Sequence, residues 1–128
     1  MTLVDTLDSK ALFASELEAR TAKNVLLTNA AVISRDLSIA KRLRDSYEMD
    51  RLMELELLDK DALKAYGSTV AARAARVRSE NEAPYLKVEE LEYALLCNDR
   101  DIKINDSTLA HCHFVLHLMA IEAGVSLK

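Results

Sequence analysis

The sequence contains little that would interrupt a helix. Of its 128 residues only two are glycine, Gly67 and Gly124, and one is proline, Pro84. Glycine and proline are the main local breakers of helices, whereas the abundant Ala, Leu, Glu, Lys and Arg favour helical backbone. We therefore predict an all-α protein. The same scarcity argues against glycine-rich phosphate-binding loops and the sharp turns that present catalytic serines.

The chain also lacks the segments that would direct it into a membrane. No apolar run approaches the roughly 20 residues that cross a bilayer, and the first residues show neither the basic nor the apolar part of a signal peptide. We therefore expect a cytoplasmic protein without a membrane partner. In that compartment Cys97 and Cys112, the two cysteines of the chain, are expected to stay reduced.

Composition and size indicate one globular domain. Half of the residues are hydrophobic, 30% are charged and the formal net charge is -4, a balance typical of folded rather than disordered chains. A chain of this size hides enough surface on folding for one independent core. We predict a single helical domain over residues 1–128, folded as a compact bundle of five or six helices.

A long N-terminal helix is expected to begin the bundle. Asp8 suits an N-cap, Leu7 and Leu12 can form a hydrophobic staple, and the helix is predicted to run to Ile33, with a break at Ser34. One stripe of mostly small side chains recurs at spacings of three and four and should meet a long antiparallel helix, either from the same chain or from a second copy. This stripe comprises Leu12, Ser15, Ala19, Ala22, Leu26, Ala30 and Ile33.

Cap and turn residues divide the middle of the chain. A surface helix follows the predicted break, and its narrow apolar face comprises Ile39, Ala40, Leu43 and Tyr47. Asp59 is predicted to cap a short helix that ends at Gly67. Ser68 is then expected to cap the next helix, which ends at Pro84. The polar residues 98–105 predict a loop.

The final helix is expected to be buried. It should begin at Asn105 or Asp106 and end at Gly124. Its apolar side chains point in nearly every direction around the axis, and they are Leu109, Cys112, Phe114, Val115, Leu116, Leu118, Met119 and Ile121. A helix that is apolar all round belongs in an interior. We predict that it lies at the centre of the bundle or is covered on one side by a partner subunit.

The three histidines form a cluster within seven residues near the C-terminus. His113 and His117 stand four residues apart, as in helical zinc pairs, and are candidate metal ligands. Nothing nearby supplies a third and a fourth ligand, and the glutamate of the HExxH pattern is missing. We therefore interpret both histidines as residues at the edge of the core, and we expect no cofactor.

A basic helix pair at residues 60–78 supports an alternative hypothesis. Lys60 and Lys64 are one turn apart, and Arg73 and Arg76 share a face of the following helix. Two helices around a tight corner are typical of helix-turn-helix proteins, which would make the chain a nucleic-acid-associated regulator. The two arginines, however, occupy positions that such a unit keeps apolar, so a solvated face is the simpler interpretation.

Carboxylates are frequent, but their pattern does not indicate an active site. The densest groups are Glu54, Glu56, Glu89, Glu90 and Glu92. Charged residues at this density usually form solvated helix faces, and no nucleophile stands beside a base. We assign no catalytic residue and expect no enzyme.

The apolar content instead favours protein association. Residues 49–58 combine methionines and leucines at a density that one face of an isolated helix would not hide. This run can pack in the core or, with part of the final helix, form a partner surface, for which methionine suits adaptable contacts. We predict a small interaction module, such as an adaptor, inhibitor or assembly factor, that self-associates by burying apolar helix faces against a protein partner. The expected contact residues are Leu52, Met53, Leu57, Ala19, Ala22 and Leu26.

Overall fold

The computed structural model describes residues 9–124, which form four α-helices. They are α1 (Ser9–Glu56), α2 (Lys60–Tyr66), α3 (Val70–Glu80) and α4 (Ala83–Glu122). The all-α prediction is confirmed. The prediction of a compact bundle of five or six helices is wrong, because α1 and α4 alone account for most of the described residues and few side chains are buried.

Helix α1 continues for 48 residues through the predicted break at Ser34. Serine lowers helix stability by only a fraction of a kilocalorie per mole, and no glycine or proline accompanies it. Half-buried Ile33 and buried Leu37 lie on either side of Ser34, so the packed face continues across this position. The predicted cap and staple residues Asp8 and Leu7 lie outside the described residues.

Helix α4 is 40 residues long and contains the whole stretch 98–105 that predicts a loop. The prediction of a loop at residues 98–105 and the prediction that a helix begins at Asn105 or Asp106 are therefore both wrong. The amides of Asn98 and Asn105 bond to the neighbouring helix rather than to turns of their own backbone. The helix ends at Glu122, before Gly124 with φ 74°, which agrees with the predicted stop.

Pro84 begins a helix and does not end one. Helix α3 already stops at Glu80, and Pro84 is the second residue of α4. Proline is tolerated in the first turn, because the N–H that it lacks has no partner within the helix there. The sequence pattern identified a boundary correctly but assigned the proline to the wrong side of it.

The start of α2 and the corner after it confirm two of the predicted turn residues. The Asp59 side chain accepts a hydrogen bond from Ala62 N–H at 2.7 Å and caps α2. Gly67 ends α2 with extended backbone, φ -174°. Glycine fits here because the position has no room for a side chain. A Cβ would lie 2.7 Å from Arg73 Cγ and 2.8 Å from Arg73 N.

The cap of α3 differs from the prediction by one residue. Thr69 takes this position in place of Ser68, and its hydroxyl accepts a hydrogen bond from Ala72 N–H at 3.0 Å. Both residue types cap helices well. Thr69 has the extended backbone of a cap, φ -129° and ψ 164°, and its carbonyl accepts a hydrogen bond from Arg73 N–H at 3.0 Å.

Contacts divide the chain into two compact units. Unit 1 contains described residues 9–31 and 96–124, and unit 2 contains residues 32–95. In unit 1 the first part of α1 packs on the last part of α4 through residues spaced alternately by three and four, the spacing of a coiled coil. We call these positions the unit 1 seam, which comprises Leu12, Glu16, Ala19, Lys23, Leu26, Asn98, Ile102, Asn105, Leu109, Cys112, Leu116 and Met119.

Two asparagine side chains make polar contacts across the otherwise mostly apolar unit 1 seam. Asn98 Nδ2 donates to the Leu26 carbonyl at 2.9 Å, and Asn105 Nδ2 donates to the Ala19 carbonyl at 2.6 Å. The two asparagines stand seven residues apart, as do the two carbonyls. These bonds fix the register of the two helices, since a slip by one turn would leave a buried amide unpaired.

The predicted stripe and the predicted buried helix both differ from the packing of unit 1. Ser15 and Ala22 are exposed, because Glu16 and Lys23 occupy the seam in their place. In α4, Phe114 is 61% exposed and the helix packs within the chain on one face, so its predicted place at the centre of a bundle is wrong. The alternative, that a partner subunit covers its other side, stays a prediction.

Unit 2 holds the apolar core. Leu37, Ala40 and Val88 form a buried cluster, with Leu91 and Leu95 packed against it. The helices α2 and α3 cover the end of α1 in this unit. Their anchor is Val77, which is fully buried and whose carbonyl accepts a hydrogen bond from Tyr47 at 3.0 Å.

Candidate association surfaces

Exposed apolar side chains outnumber buried ones. Of the residues whose burial is described, nine apolar side chains are buried, whereas eighteen large apolar side chains are exposed. Single exposed apolar residues are ordinary on protein surfaces, so their clustering decides whether they form a site. Two clefts gather several of them, one in each unit.

The cleft of unit 2 lies between α1 and α4. It has a volume of about 380 Å³ and is lined by Asp36, Ile39, Ala40, Leu43, Pro84, Lys87 and Leu91. We call it the unit 2 cleft. Its floor is apolar, and Ile39 and Leu43 remain 45% and 64% exposed. The spacing of Asp36, Ile39 and Leu43 makes one stripe that runs beside the core positions of α1.

One charge stands on each side of the unit 2 cleft. Asp36 comes from α1 and Lys87 from α4. Among residues 9–124 their ion pairs are long, 3.7 Å between Asp36 and Arg35 and 3.9 Å between Lys87 and Glu90. Exposed pairs of this kind contribute little to stability. Both charges therefore remain available to a partner.

The cleft of unit 1 is mostly a face of α1. Its volume is about 780 Å³, and it is lined by Ala14, Leu17, Glu18, Thr21, Ala22, Val25, Leu26 and Asp101. Seven of these residues belong to α1 and only Asp101 to α4. A partner would therefore meet the side of one helix here, whereas the unit 2 cleft presents a groove between two helices.

The expected contact residues fall into different environments. Met53 is 58% exposed in the last turn of α1, next to half-buried Leu52. Leu57, the residue after this helix, is 87% exposed. In unit 1, Ala22 and Leu26 line the cleft, whereas Ala19 is buried and its carbonyl is bonded to Asn105. Ala19, one of the expected partner contacts, is therefore covered by α4 of the same chain.

The arginines of the predicted basic surface hold the corner between α2 and α3. Arg73 Nη1 donates to the Gly67 carbonyl at 3.0 Å. Arg76 Nη1 donates to the Tyr66 carbonyl at 3.0 Å, and its guanidinium lies 4.3 Å from the centre of the Tyr66 ring. Such contacts satisfy carbonyls at the end of α2. Both arginines therefore have structural partners in the chain itself.

The lysines of this segment are placed differently. Lys60 and Lys64 are exposed, and neither forms an ion pair with another of residues 9–124. Nucleic-acid binding by the helix pair stays a prediction, and it now depends mainly on these two charges. Affinity for generic duplex DNA at low salt, lost on replacing both lysines by alanine, would support it.

A charged cluster joins α3 to α1 in unit 2. Arg51 Nη2 lies 3.0 Å from Glu80 Oε2, and Glu54 also accepts from Arg51. Desolvation alone would raise the pKa of Glu80, but the Tyr66 hydroxyl and Arg51 outweigh it and hold that pKa below its usual value. Burial raises the pKa of the neighbouring Tyr66.

The lowered pKa of Glu80 makes unit 2 sensitive to acid. A carboxyl whose folded pKa lies below its unfolded value stabilises the fold above the unfolded value, near 4.5, and loses that effect as the pH falls through the folded value. We expect Glu80→Gln to lower the unfolding midpoint slightly at pH 7 and to flatten its decline below pH 4.5. Urea titrations from pH 3 to pH 7 measure both effects. The control is Glu82→Gln on an exposed residue, and an equal response in both variants would contradict the assignment.

The histidines contact α1 or solvent. His113 Nε2 lies 3.0 Å from Glu16 Oε1 across the unit 1 seam, and Glu16 also pairs with Arg20. His117 is exposed. Among the described residues, no three His, Cys, Asp or Glu side chains come together as a metal site. Over the same residues, no helix has the length and apolarity needed to cross a bilayer.

No known protein family, curated protein or solved structure matches the chain. Of the two clefts, the unit 2 cleft combines an apolar floor with charges of both signs, whereas the charged residues of the unit 1 cleft are both acidic.

Proposed function

We propose that the protein is a helical association module that buries apolar helix faces against another polypeptide, and that it self-associates. The observation that carries this proposal is the excess of exposed over buried large apolar side chains. Because transfer of apolar surface out of water is favourable by about 25 cal/mol per Å², these faces supply the driving force for association.

Sedimentation equilibrium of the full chain tests the proposal. We expect reversible self-association, with the average mass rising from that of one chain to that of two as the protein concentration increases. Circular dichroism at each concentration checks that the helices persist. A single-chain mass at every concentration up to the millimolar range would contradict self-association.

A further inference from the structure

We infer that the unit 2 cleft is the self-association surface, and that it receives the same cleft of a second copy in a two-fold arrangement that sets α1 against α4 of the partner. This inference rests on the proposed function and adds to it the surface, the occupant and the orientation. Two observations carry it: the shape of the cleft and the placement of its charges.

The shape of the cleft suits a helix. Side chains of two packed helices form a groove, and a third helix packs by placing its own ridge of side chains into such a groove. Ile39 and Leu43 supply this ridge, since they project beside the groove and remain 45% and 64% exposed. The same stripe can therefore fill the groove of a second copy while its own groove is filled in return.

The charges select the orientation of the second copy. Asp36 and Lys87 line one cleft from opposite helices. A two-fold axis parallel to the helices sets α1 on the partner's α4 and brings Asp36 opposite the partner's Lys87, twice per interface. An axis across the helices sets α1 on the partner's α1 and brings like charges together. Opposite charges favour the first arrangement, because like charges in contact weaken association.

The charge balance also favours a second copy over a strongly charged partner. The polar lining of the cleft consists of one acidic and one basic side chain, so neither a polyanion nor a polycation gains net attraction. A surface that carries both signs at matching positions is complementary to itself under two-fold rotation. Packed this way, α1 and α4 of the two copies form a four-helix bundle in unit 2, in which neighbouring long helices are antiparallel.

Charge inversion tests the arrangement. In Asp36→Lys both cleft charges are positive, and in Lys87→Asp both are negative, so each variant alone should self-associate about tenfold more weakly than the native chain. An equimolar mixture of the two variants pairs opposite charges again at both contacts. We expect the mixture to recover native affinity through mixed dimers, and the double variant to self-associate like the native chain. Sedimentation equilibrium at 50 mM and at 1 M salt measures this, with smaller differences at high salt.

Two control variants separate the cleft from general effects. Lys41→Asp and Glu56→Lys change the same charges on exposed positions of α1 outside the cleft, and both should leave self-association unchanged. As a further test, Ile39→Glu places a carboxylate on the apolar ridge beside the groove and should weaken association more than either single inversion. Because Ile39 is exposed in the chain, circular dichroism should show an unchanged helix content.

The possible outcomes distinguish this inference from the proposed function. Weak association of each inverted variant with recovery in the mixture supports the arrangement. If each variant associates like the native chain and the mixture associates more tightly than the native chain, like helices face each other and the orientation is wrong. If each variant is weak and the mixture stays weak, Asp36 and Lys87 do not face each other across the interface, which also contradicts the arrangement. If the native chain associates and none of the cleft variants changes it, the surface is wrong while the association module stands. A native chain that is monomeric at every concentration overturns both.

Discussion

Replacing Leu37 by alanine is expected to lower the free energy of unfolding by about 3 kcal/mol. Leu37 is 8% exposed and packs with Ala40 and Val88, and Leu91 and Leu95 complete the cluster. Loss of the side chain removes its transfer free energy and leaves a cavity that two long helices cannot close without shifting along their whole contact. Few other side chains in unit 2 are buried, so this position carries a large share of its stability.

Leu27→Ala is the matched control for this prediction. Leu27 lies on the same helix and is 48% exposed, so its truncation should change stability by less than about 0.5 kcal/mol. Urea unfolding followed by circular dichroism at one fixed protein concentration compares the variants, since self-association would add a concentration-dependent term. Equal effects at both positions would contradict the assignment of the core to the Leu37 cluster.

The helical class of this protein could be predicted because it follows from local chemistry. Scarce glycine and proline leave the backbone few alternatives to a helix, and Asp59 and Gly67 act within one turn of their own positions. Features of this kind need no knowledge of distant parts of the chain. The all-α class and these two boundaries were therefore predicted correctly.

The errors in the fold arose where a polar run was interpreted as a loop. Residues 98–105 are polar, yet Asn98 and Asn105 bond to carbonyls of α1 that are more than seventy residues away in sequence. The missed signal was the spacing of Asn98, Ile102, Asn105 and Leu109 by four, three and four residues, which continues the seam through the predicted loop. Periodicity was the better guide here, because no glycine or proline interrupts the stretch.

The candidate surface could be predicted only in part. The apolar face with Ile39, Ala40 and Leu43 was visible in the sequence, but its division between core and solvent was not. Ala40 is buried against α4, whereas Ile39 and Leu43 border the unit 2 cleft. That division depends on how α1 is rotated towards α4, and likewise the seam buries Ala19 while leaving Ala22 exposed. Rotation is a property of the packed pair, which helical spacing alone does not determine.

Changing Asn98 to aspartate is expected to destabilise unit 1 by about 3 to 5 kcal/mol at pH 7. Asn98 is 7% exposed, and its amide is the donor in the 2.9 Å bond to the Leu26 carbonyl. The substitution keeps the shape of the side chain but replaces a donor by a carboxylate that faces a carbonyl oxygen. A buried charge without a partner is then added to a lost hydrogen bond. Asn24→Asp, on an exposed position of α1 in the same unit, adds the same charge in water and should have little effect.

The pH dependence of Asn98→Asp separates the cost of the buried charge from other effects of the substitution. Burial and the missing donor raise the folded pKa of the introduced carboxyl above its unfolded value near 3.9. A raised folded pKa means that stability increases as the pH falls through the folded value and is fully recovered below the unfolded one. The protonated group can also donate to the Leu26 carbonyl, as the amide does. Urea unfolding should therefore show the gap between this variant and native protein narrowing from pH 7 to pH 4, whereas a gap that stays constant would show that the buried charge of the carboxylate is not the cause of the destabilisation.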